Sequence, residues 1–234
     1  MGRMPLGRPA KVDHVRDELL AEIERAVVLI AAIGSLPAKT KQSAKLGLHP
    51  KHSGQIMGLA FMGLIATWEE FLERTLVRYL TGAKTDGGYA PQLKIGRANS
   101  LAHAYELLSL NPNYRPESSY LKVTDVRLIQ RIADFYFLNH PYGCLGNSSQ
   151  LLKQANRIRN RVAHDSTKCK AEFKDAVVFF LNPTGGTLKQ GYGPASLLRE
   201  SVQAHFGAQA VTAGVNHFDA YVGLFRHLAG RIVP

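Results

Sequence analysis

A chain of 234 residues with 45% apolar side chains is long and apolar enough to bury a core, which excludes an intrinsically disordered protein. Lysine and arginine outnumber aspartate and glutamate by 29 to 18, which gives a net charge of +11. This surplus favours a polyanionic partner, nucleic acid before membrane, because phosphate contacts release counterions. The longest apolar stretches, residues 26–34 and 58–68, are shorter than the roughly 18 residues that span a bilayer. We therefore expect a cytoplasmic protein that does not contact a membrane.

Cysteine usage adds little chemistry to this chain. Cys144 and Cys169 do not have the spacing of a metal-binding motif and are too few for a disulfide framework. Two free thiols in a reducing compartment are favoured over one bridge. We expect neither a metal nor another cofactor.

In chain order, the sequence predicts a flexible basic arm followed by a single helical domain. The arm is residues 1–10, and the domain is residues 11–234 with its core at about 55–232. Apolar residues at helical spacing, ended by glycine or proline, predict helices over 11–33, 55–80, 98–110, 124–138, 148–164, 171–181, 194–206 and 211–232. Residues 37–54 are predicted to be a basic loop, and residues 182–194 a Gly-rich connection with room for a short hairpin. The predicted fold class is all-α.

One predicted helix, residues 148–164, carries most of the polar residues of interest. On a helical wheel the apolar side chains share one side: Leu151, Leu152, Ala155, Ile158 and Val162. Arg157, Asn160, Arg161 and His164 share the other side. Arg159 falls inside the apolar arc. An unpaired buried charge costs several kcal/mol, so Arg159 must find an acid, line a cleft or lie at a subunit interface.

Glu69 is the candidate acid for this arginine. In "GLIATWEEFLERTL" it lies near the edge of the apolar arc, one turn from Ile65 and from Leu72. We hypothesise that Glu69 faces Arg159 or His164 across packed helices. The alternative, equally favoured by the pattern, is that Glu69 reaches solvent from the edge of the arc.

Two stretches resemble a known family. "RNRVAH", residues 159–164, fits the pattern R-x4-6-H with a polar residue directly after the arginine, which is the signature of the HEPN superfamily. HEPN proteins are small helical proteins common in toxin–antitoxin, abortive-infection and RNA-processing systems. "ATWEEFLERTLVRYL", residues 66–80, resembles the long early helix of the RiboL-PSP-type HEPN branch. The order of the predicted helices is compatible with this family over residues 55–232.

The resemblance implies a fold, an activity and partners. The fold is an all-α HEPN-like bundle of about six to eight helices with a loop-rich insertion, usually a two-fold dimer. The activity is that of a metal-independent endoribonuclease, which cleaves RNA by attack of its own 2′-OH and leaves a 2′,3′-cyclic phosphate. The role is that of a toxin or an antiviral-defence nuclease, with RNA as substrate and an antitoxin or regulatory protein as a further partner.

The residues of the motif suit that reaction. His164 can transfer the protons, because imidazole titrates near neutral pH. Arg159 can hold the phosphate oxygens with its fork of donors, and Asn160 can orient His164 or the phosphate. On a continuous helix, however, Arg159 and His164 point about 140° apart. Either the helix ends at Ala163 or His164, or a two-fold dimer brings two motif helices together; we favour the dimer.

Further RNA contacts are predicted with less specific signals. Arg157 and Arg161 can follow an RNA backbone. In "FYFLNHPYG", residues 135–143, His140 and Tyr142 can stack on bases, although core packing with a capped turn is the favoured alternative. The whole chain also has two alternative interpretations. One is a non-catalytic HEPN-like module that binds RNA or protein. The other is an unrelated basic helical protein in which "RIRNRVAH" is only a solvated face.

Overall fold

The structure is a computed structural model, and it describes residues 11–37, 39, 47–115, 118, 121, 125–182 and 188–234. The predicted basic arm, residues 1–10, lies outside these residues. So do residues 183–187 of the predicted Gly-rich connection and most of residues 38–46 of the predicted basic loop.

The described residues are mostly helical, which confirms the all-α prediction at that level. The helices are α1 Asp13–Gly34, α2 Pro50–Leu80, α3 Leu101–Ser109, α4 Val126–Tyr136, α5 Cys144–Asn147, α6 Ser149–Ala163, α7 Thr167–Leu181, α8 Pro194–Arg199, α9 Ala208–Thr212 and α10 His217–Ile232. A 3₁₀ turn covers Pro141–Gly143, and two short strands, β1 Gln92–Leu93 and β2 Phe137–Asn139, form an antiparallel sheet. In the part of the chain described, none of these helices has both the length and the apolar character that a membrane crossing demands.

The predicted helix over residues 124–138 is too long, because its last two residues belong to β2. Helix α4 ends at Tyr136 because Phe137 adopts an extended backbone and its side chain is buried. The backbone N–H of Lys94 donates to the carbonyl of Tyr136 at 2.8 Å, and Leu93 pairs with Phe137. Pairing with β1 therefore replaces the last helical turn.

The predicted helices over 194–206 and 211–232 are both shorter in the structure. After α8 the chain extends and pairs with the segment that precedes α10: Val202 N–H donates to Val215 at 2.8 Å, and His217 N–H donates to Glu200 at 3.0 Å. These bonds satisfy backbone groups that a continuous helix would have used internally. The short helix α9 occupies the connection between the paired segments.

Two helices start earlier than predicted. Helix α2 begins at Pro50, inside the predicted loop, because proline suits the first turn, where an N–H would have no helical partner. Helix α7 begins at Thr167, where the Ser166 hydroxyl caps it by accepting from Cys169 N–H at 3.2 Å.

The chain forms two compact units. Residues 11–19, 68–149 and 227–234 belong to the first unit, and residues 20–67 and 150–226 to the second. In the first unit, buried tyrosines find partners: Tyr79 donates to the carbonyl of Ile232 at 2.8 Å, and Tyr142 donates to the Thr75 hydroxyl at 3.1 Å. Burial raises the pKa of Tyr142 far above its usual range, so the phenol remains a neutral donor.

Aromatic rings dominate the core of the second unit. Phe61 packs edge-on against Tyr221, with ring centroids 5.2 Å apart, and the Tyr221 hydroxyl donates to the carbonyl of Leu151 at 3.0 Å. His217 is fully buried beside Phe180, with ring centroids 4.8 Å apart. Burial lowers the pKa of His217, so this histidine packs as a neutral core residue.

Candidate functional site

Helix α6 presents the motif from a rigid base in the second unit. Its inner face is buried through Leu151, Leu152, Gln154, Ala155 and Ile158. At its last turn the backbone of α2 comes close, because Gly58 leaves room for Val162. A Cβ at Gly58 would lie 3.3 Å from both γ-carbons of Val162. The bond from Tyr221 to Leu151 fixes the other end of the helix. The polar outer residues are therefore held in place by packing on the opposite face.

Asn160 is bonded to both residues of the predicted catalytic pair. Its side-chain oxygen accepts from the Arg159 guanidinium at 3.1 Å, and its carbonyl accepts from the backbone N–H of His164 at 2.9 Å. Arg159 is half-buried, and so are Arg157 and Arg161 of the predicted polar side, so burial does not set Arg159 apart. The Asn160 side chain thus holds the Arg159 guanidinium, and the Asn160 carbonyl holds the backbone N–H of His164.

His164 is the first residue beyond α6, and it is exposed to solvent. Its backbone is held on both sides, since its carbonyl accepts from Arg161 at 3.2 Å. The next residue, Asp165, pairs with Arg161 at 2.8 Å and with Lys170 at 3.0 Å. Lys170, and then Arg161, hold the pKa of Asp165 below its usual range. The result is a fixed backbone with an imidazole open to a ligand.

The end of α6 bears on the angle between Arg159 and His164, which on a continuous helix would point about 140° apart. Of the two solutions, the first is present: α6 stops at Ala163, and the N–H of His164 makes the last bond of the helix, to Asn160. The two-fold dimer stays a prediction.

Arg157 and Arg161 are bonded within the second unit. Arg157 donates to Gln154 at 3.2 Å and pairs with Asp175 of α7 at 3.3 Å. Both aspartate partners are well exposed, Asp175 at 63% and Asp165 at 75% of the side chain. Such pairs are screened by solvent and contribute little to stability, so a phosphate group can compete for these guanidinium groups. Contact of Arg157 and Arg161 with RNA stays a prediction.

The other predicted site residues lie in the first unit. Glu69 is half-buried on α2, in agreement with its place at the edge of the apolar arc. Its pairing with Arg159 or His164 stays a prediction. His140 is bonded through Nε2 to the Asp134 carboxylate at 2.8 Å, and only 11% of its side chain is exposed.

Tyr142 takes the place that its core-packing alternative predicted. It is completely buried, and its hydroxyl is bonded to Thr75. A base needs an exposed ring face on which to stack, and Tyr142 has none. We therefore leave Tyr142 out of the RNA contacts proposed below.

Three residues that support the motif were not identified from the sequence: Gln154, Asp165 and Asp175. Asp165 directly follows His164, and its distance of four residues from Arg161 is a usable signal for an ion pair. Asp175 lies on the next helix, so its pairing with Arg157 depends on how α6 and α7 pack. Across the residues described, no three His, Cys, Asp or Glu side chains are grouped so that they can share a metal ion.

Comparison with known proteins gives no match: no protein-family model, no curated protein and no solved structure is significantly similar to this chain. The resemblance to the HEPN superfamily therefore rests on the motif residues and on the long helix α2, and it supports a proposal of function.

Proposed function

We propose that this protein is a HEPN-type, metal-independent endoribonuclease whose reaction is carried by Arg159, Asn160 and His164. The observation that supports this most is the bond from the half-buried Arg159 guanidinium to the Asn160 side chain, one turn before the exposed His164. The backbone bond from His164 to Asn160 is the ordinary bond of a helix, so the support comes from the side-chain bond and from the exposed imidazole.

The proposed reaction is an internal transesterification of RNA. The 2′-oxygen loses its proton to a base and bonds to the adjacent phosphorus, while the bond from phosphorus to the 5′-oxygen breaks and that oxygen gains a proton. The products are a 2′,3′-cyclic phosphate and a 5′-hydroxyl. His164 transfers protons at its exposed imidazole, a contribution of about 10²- to 10⁴-fold for general acid–base catalysis.

Arg159 stabilises the charge that develops on the phosphate oxygens. Its planar guanidinium offers parallel donors that match two oxygens of one phosphate. The bond to Asn160 orders that side chain before RNA arrives, so less reorganisation is needed in the transition state. Arg157 and Arg161 add positive charge along the same helix and can exchange their exposed aspartates for backbone phosphates.

The finer parts of the proposal follow from the resemblance. A two-fold dimer would place two motif helices at one cleft, and Glu69 would join that site as a partner of Arg159 or His164. A cytoplasmic toxin or antiviral-defence nuclease, controlled by an antitoxin or another regulatory protein, is the role in which such an enzyme is expected. The net charge of +11 is consistent with an RNA substrate.

The first test is cleavage of a labelled single-stranded RNA and of a tRNA pool in EDTA. We expect the wild-type protein to release cyclic-phosphate ends. His164→Ala should abolish the cleavage, and Arg159→Lys should reduce it strongly because a lysine keeps the charge but loses the fork. His227→Ala is the matched control, since His227 is also exposed but lies outside the motif. Circular dichroism and thermal unfolding of each variant separate loss of chemistry from loss of fold.

The same experiment tests the alternative function. If RNA binds equally to wild type and to His164→Ala but stays intact in both, the chain is a non-catalytic RNA-binding module. Cleavage that survives His164→Ala, or that falls equally in His227→Ala, contradicts the proposed roles. RNA that is neither bound nor cleaved rejects the ribonuclease proposal for these substrates and supports a protein-binding module.

A further inference from the structure

A second row of basic and aromatic side chains lies in the first unit, on α4. This helix buries one face through Val126, Ile129 and Ala133. Its opposite face exposes Arg127, Arg131 and Phe135, which follow one another at intervals of four residues. We call these three residues the α4 stripe. At 1.5 Å per residue, neighbouring members of the stripe are about 6 Å apart along the helix, and they lie on one side of it.

The arginines of the α4 stripe are available for a ligand. Within the described residues, neither Arg127 nor Arg131 takes part in an ion pair. The two nearby carboxylates of this helix are occupied otherwise: Asp125 caps the helix by accepting from the backbone N–H of Arg127 at 2.9 Å, and Asp134 accepts from His140 at 2.8 Å. The two guanidinium groups therefore have no carboxylate partner among the described residues, although the negative charges of Asp125 and Asp134 remain close to them.

A third cation is fixed at the other end of the stripe. Lys94, which directly follows β1, donates from its ammonium group to the carbonyl of Asp134, the residue before Phe135. Its backbone N–H is bonded to Tyr136. Lys94 is thus anchored by two bonds at the carboxyl end of α4, where Phe135 also lies, and its side chain is exposed.

Phe135 is exposed to 63%, although aromatic side chains gain about 1.5–3 kcal/mol when they are fully buried. A single exposed apolar residue is normal on a protein surface. What distinguishes Phe135 is its alignment with two arginines that have no ion pair among the described residues, together with an anchored lysine. A phosphate chain with stacking bases is complementary to such a row, because cations hold the backbone and a ring face takes a base. Acidic protein surfaces and lipid headgroups also bind arginines that have an exposed aromatic ring among them, so the ring alone does not select RNA.

We propose that the α4 stripe, together with Lys94, binds single-stranded RNA, with Phe135 stacking on a base and Arg127, Arg131 and Lys94 contacting successive phosphates. The choice of RNA among polyanions rests on the proposed function. Binding at the stripe itself requires no cleavage, and the stripe lies apart from Arg159, Asn160 and His164 in the sequence. It would select for unpaired RNA, because a base must be free to leave its stack before it can lie on Phe135.

The test is binding of a fluorescent, 2′-O-methylated single-stranded oligonucleotide to the full chain, measured by anisotropy over a range of salt concentrations. This probe cannot be cleaved by 2′-OH attack. Phe135→Ala should weaken binding about 5- to 100-fold and leave the salt dependence unchanged, because stacking involves no charge. The double variant Arg127→Gln/Arg131→Gln should reduce the slope of log K against log salt by about 1.4, since each lost phosphate contact accounts for about 0.7 on a single strand.

Matched controls come from the same unit. Leu110→Ala removes a side chain that is 89% exposed, and Lys84→Gln/Arg115→Gln removes the same charge from exposed positions outside the stripe. Equal losses in variants and controls, or unchanged binding in Phe135→Ala, overturn the inference. Vesicles of phosphatidylserine form a second arm: if Phe135→Ala abolishes vesicle binding but not RNA binding, the partner is a membrane and the inference is wrong. Phe135-dependent binding by a protein that never cleaves RNA would reject the proposed function and keep this inference.

Discussion

Helices α6 and α4 both carry arginines, but the two sets have different surroundings. On α6 the guanidinium groups are bonded: Arg157 to Asp175, Arg159 to Asn160 and Arg161 to Asp165. On α4, within the described residues, Arg127 and Arg131 have no ion pair. If the proposals hold, the bonded arginines of α6 have the defined geometry that catalysis needs, while the arginines of α4 have donors left for a ligand.

The largest expected effect is on kcat, and it should distinguish the arginines of α6 from those of α4. Arg159→Gln and Arg131→Gln remove the same charge from the two helices. Arg159→Gln should lower kcat about 10²- to 10³-fold, as loss of one donor to a developing oxyanion does. Arg131→Gln should act mainly on KM. Single-turnover rates at saturating RNA measure the loss in the chemical step, and initial rates over a range of RNA concentrations measure KM. Equal losses of kcat in both variants would remove the distinction between the helices.

A smaller effect is expected from the turn that holds His164. Asp165→Asn removes the carboxylate that bonds Arg161 and Lys170, and we expect kcat to fall about tenfold through misplacement of His164. Because the pKa of Asp165 is depressed, its stabilising pairs are present above the range where a free aspartate titrates and are lost as the pH falls below it. The loss of kcat in Asp165→Asn should therefore be the same at about pH 6 and about pH 8, because both lie above the range where a free aspartate titrates. Asp175→Asn is the control, since it breaks the pair of Arg157 but leaves the turn intact.

The close approach of α2 and α6 gives a stability prediction of about 1 kcal/mol. Gly63→Ala should stabilise the protein by about 0.5–1 kcal/mol, because alanine favours a helix and nothing lies within 4 Å of the new Cβ. Gly58→Ala should gain less or destabilise, because its Cβ would press on Val162. Urea unfolding of both variants measures the difference. An equal gain in stability at both positions would show that the Val162 side chain moves aside at no cost.

The smallest effect concerns the stability contributed by the arginines themselves. Arg157→Gln should cost up to about 1 kcal/mol, because it breaks a part-buried pair that joins α6 to α7. Arg131→Gln should change the free energy of unfolding by no more than about 0.5 kcal/mol, as is usual for an exposed side chain that has no ion pair among the described residues. Chemical unfolding at low and high salt compares them. A larger loss in Arg131→Gln would mean that the stripe supports the fold.

Local patterns predicted the helices that matter for the site. The apolar repeat placed the motif helix at residues 148–164, and α6 covers Ser149–Ala163. The bounds of this helix depend only on residues within a few turns of one another, so one sequence contains the information. The placement of Arg159 inside the apolar arc is less informative, because Arg157 and Arg161 of the predicted polar side are half-buried as well.

Other features depend on partners distant in the chain. Strands β1 and β2 have two and three residues, too few for an alternating pattern to be recognised, and they pair across a long stretch of chain. In "FYFLNHPYG" the sequence could not tell which ring is exposed. The structure buries Phe137 and Tyr142, the latter against Thr75, and leaves Phe135 in solvent. Only tertiary packing decides that choice.

The connection between α6 and α7 has a consequence for how the chain folds. Residues 164–166 join the two helices, so closing this loop costs little entropy. The bonds around Asp165 join residues near one another in the chain, whereas the bond from Tyr221 to Leu151 spans 70 positions. Local contacts of this kind form quickly during folding. The helical hairpin that carries His164 is therefore expected to be one of the earliest structures to form, and its amides to gain protection before those of α10.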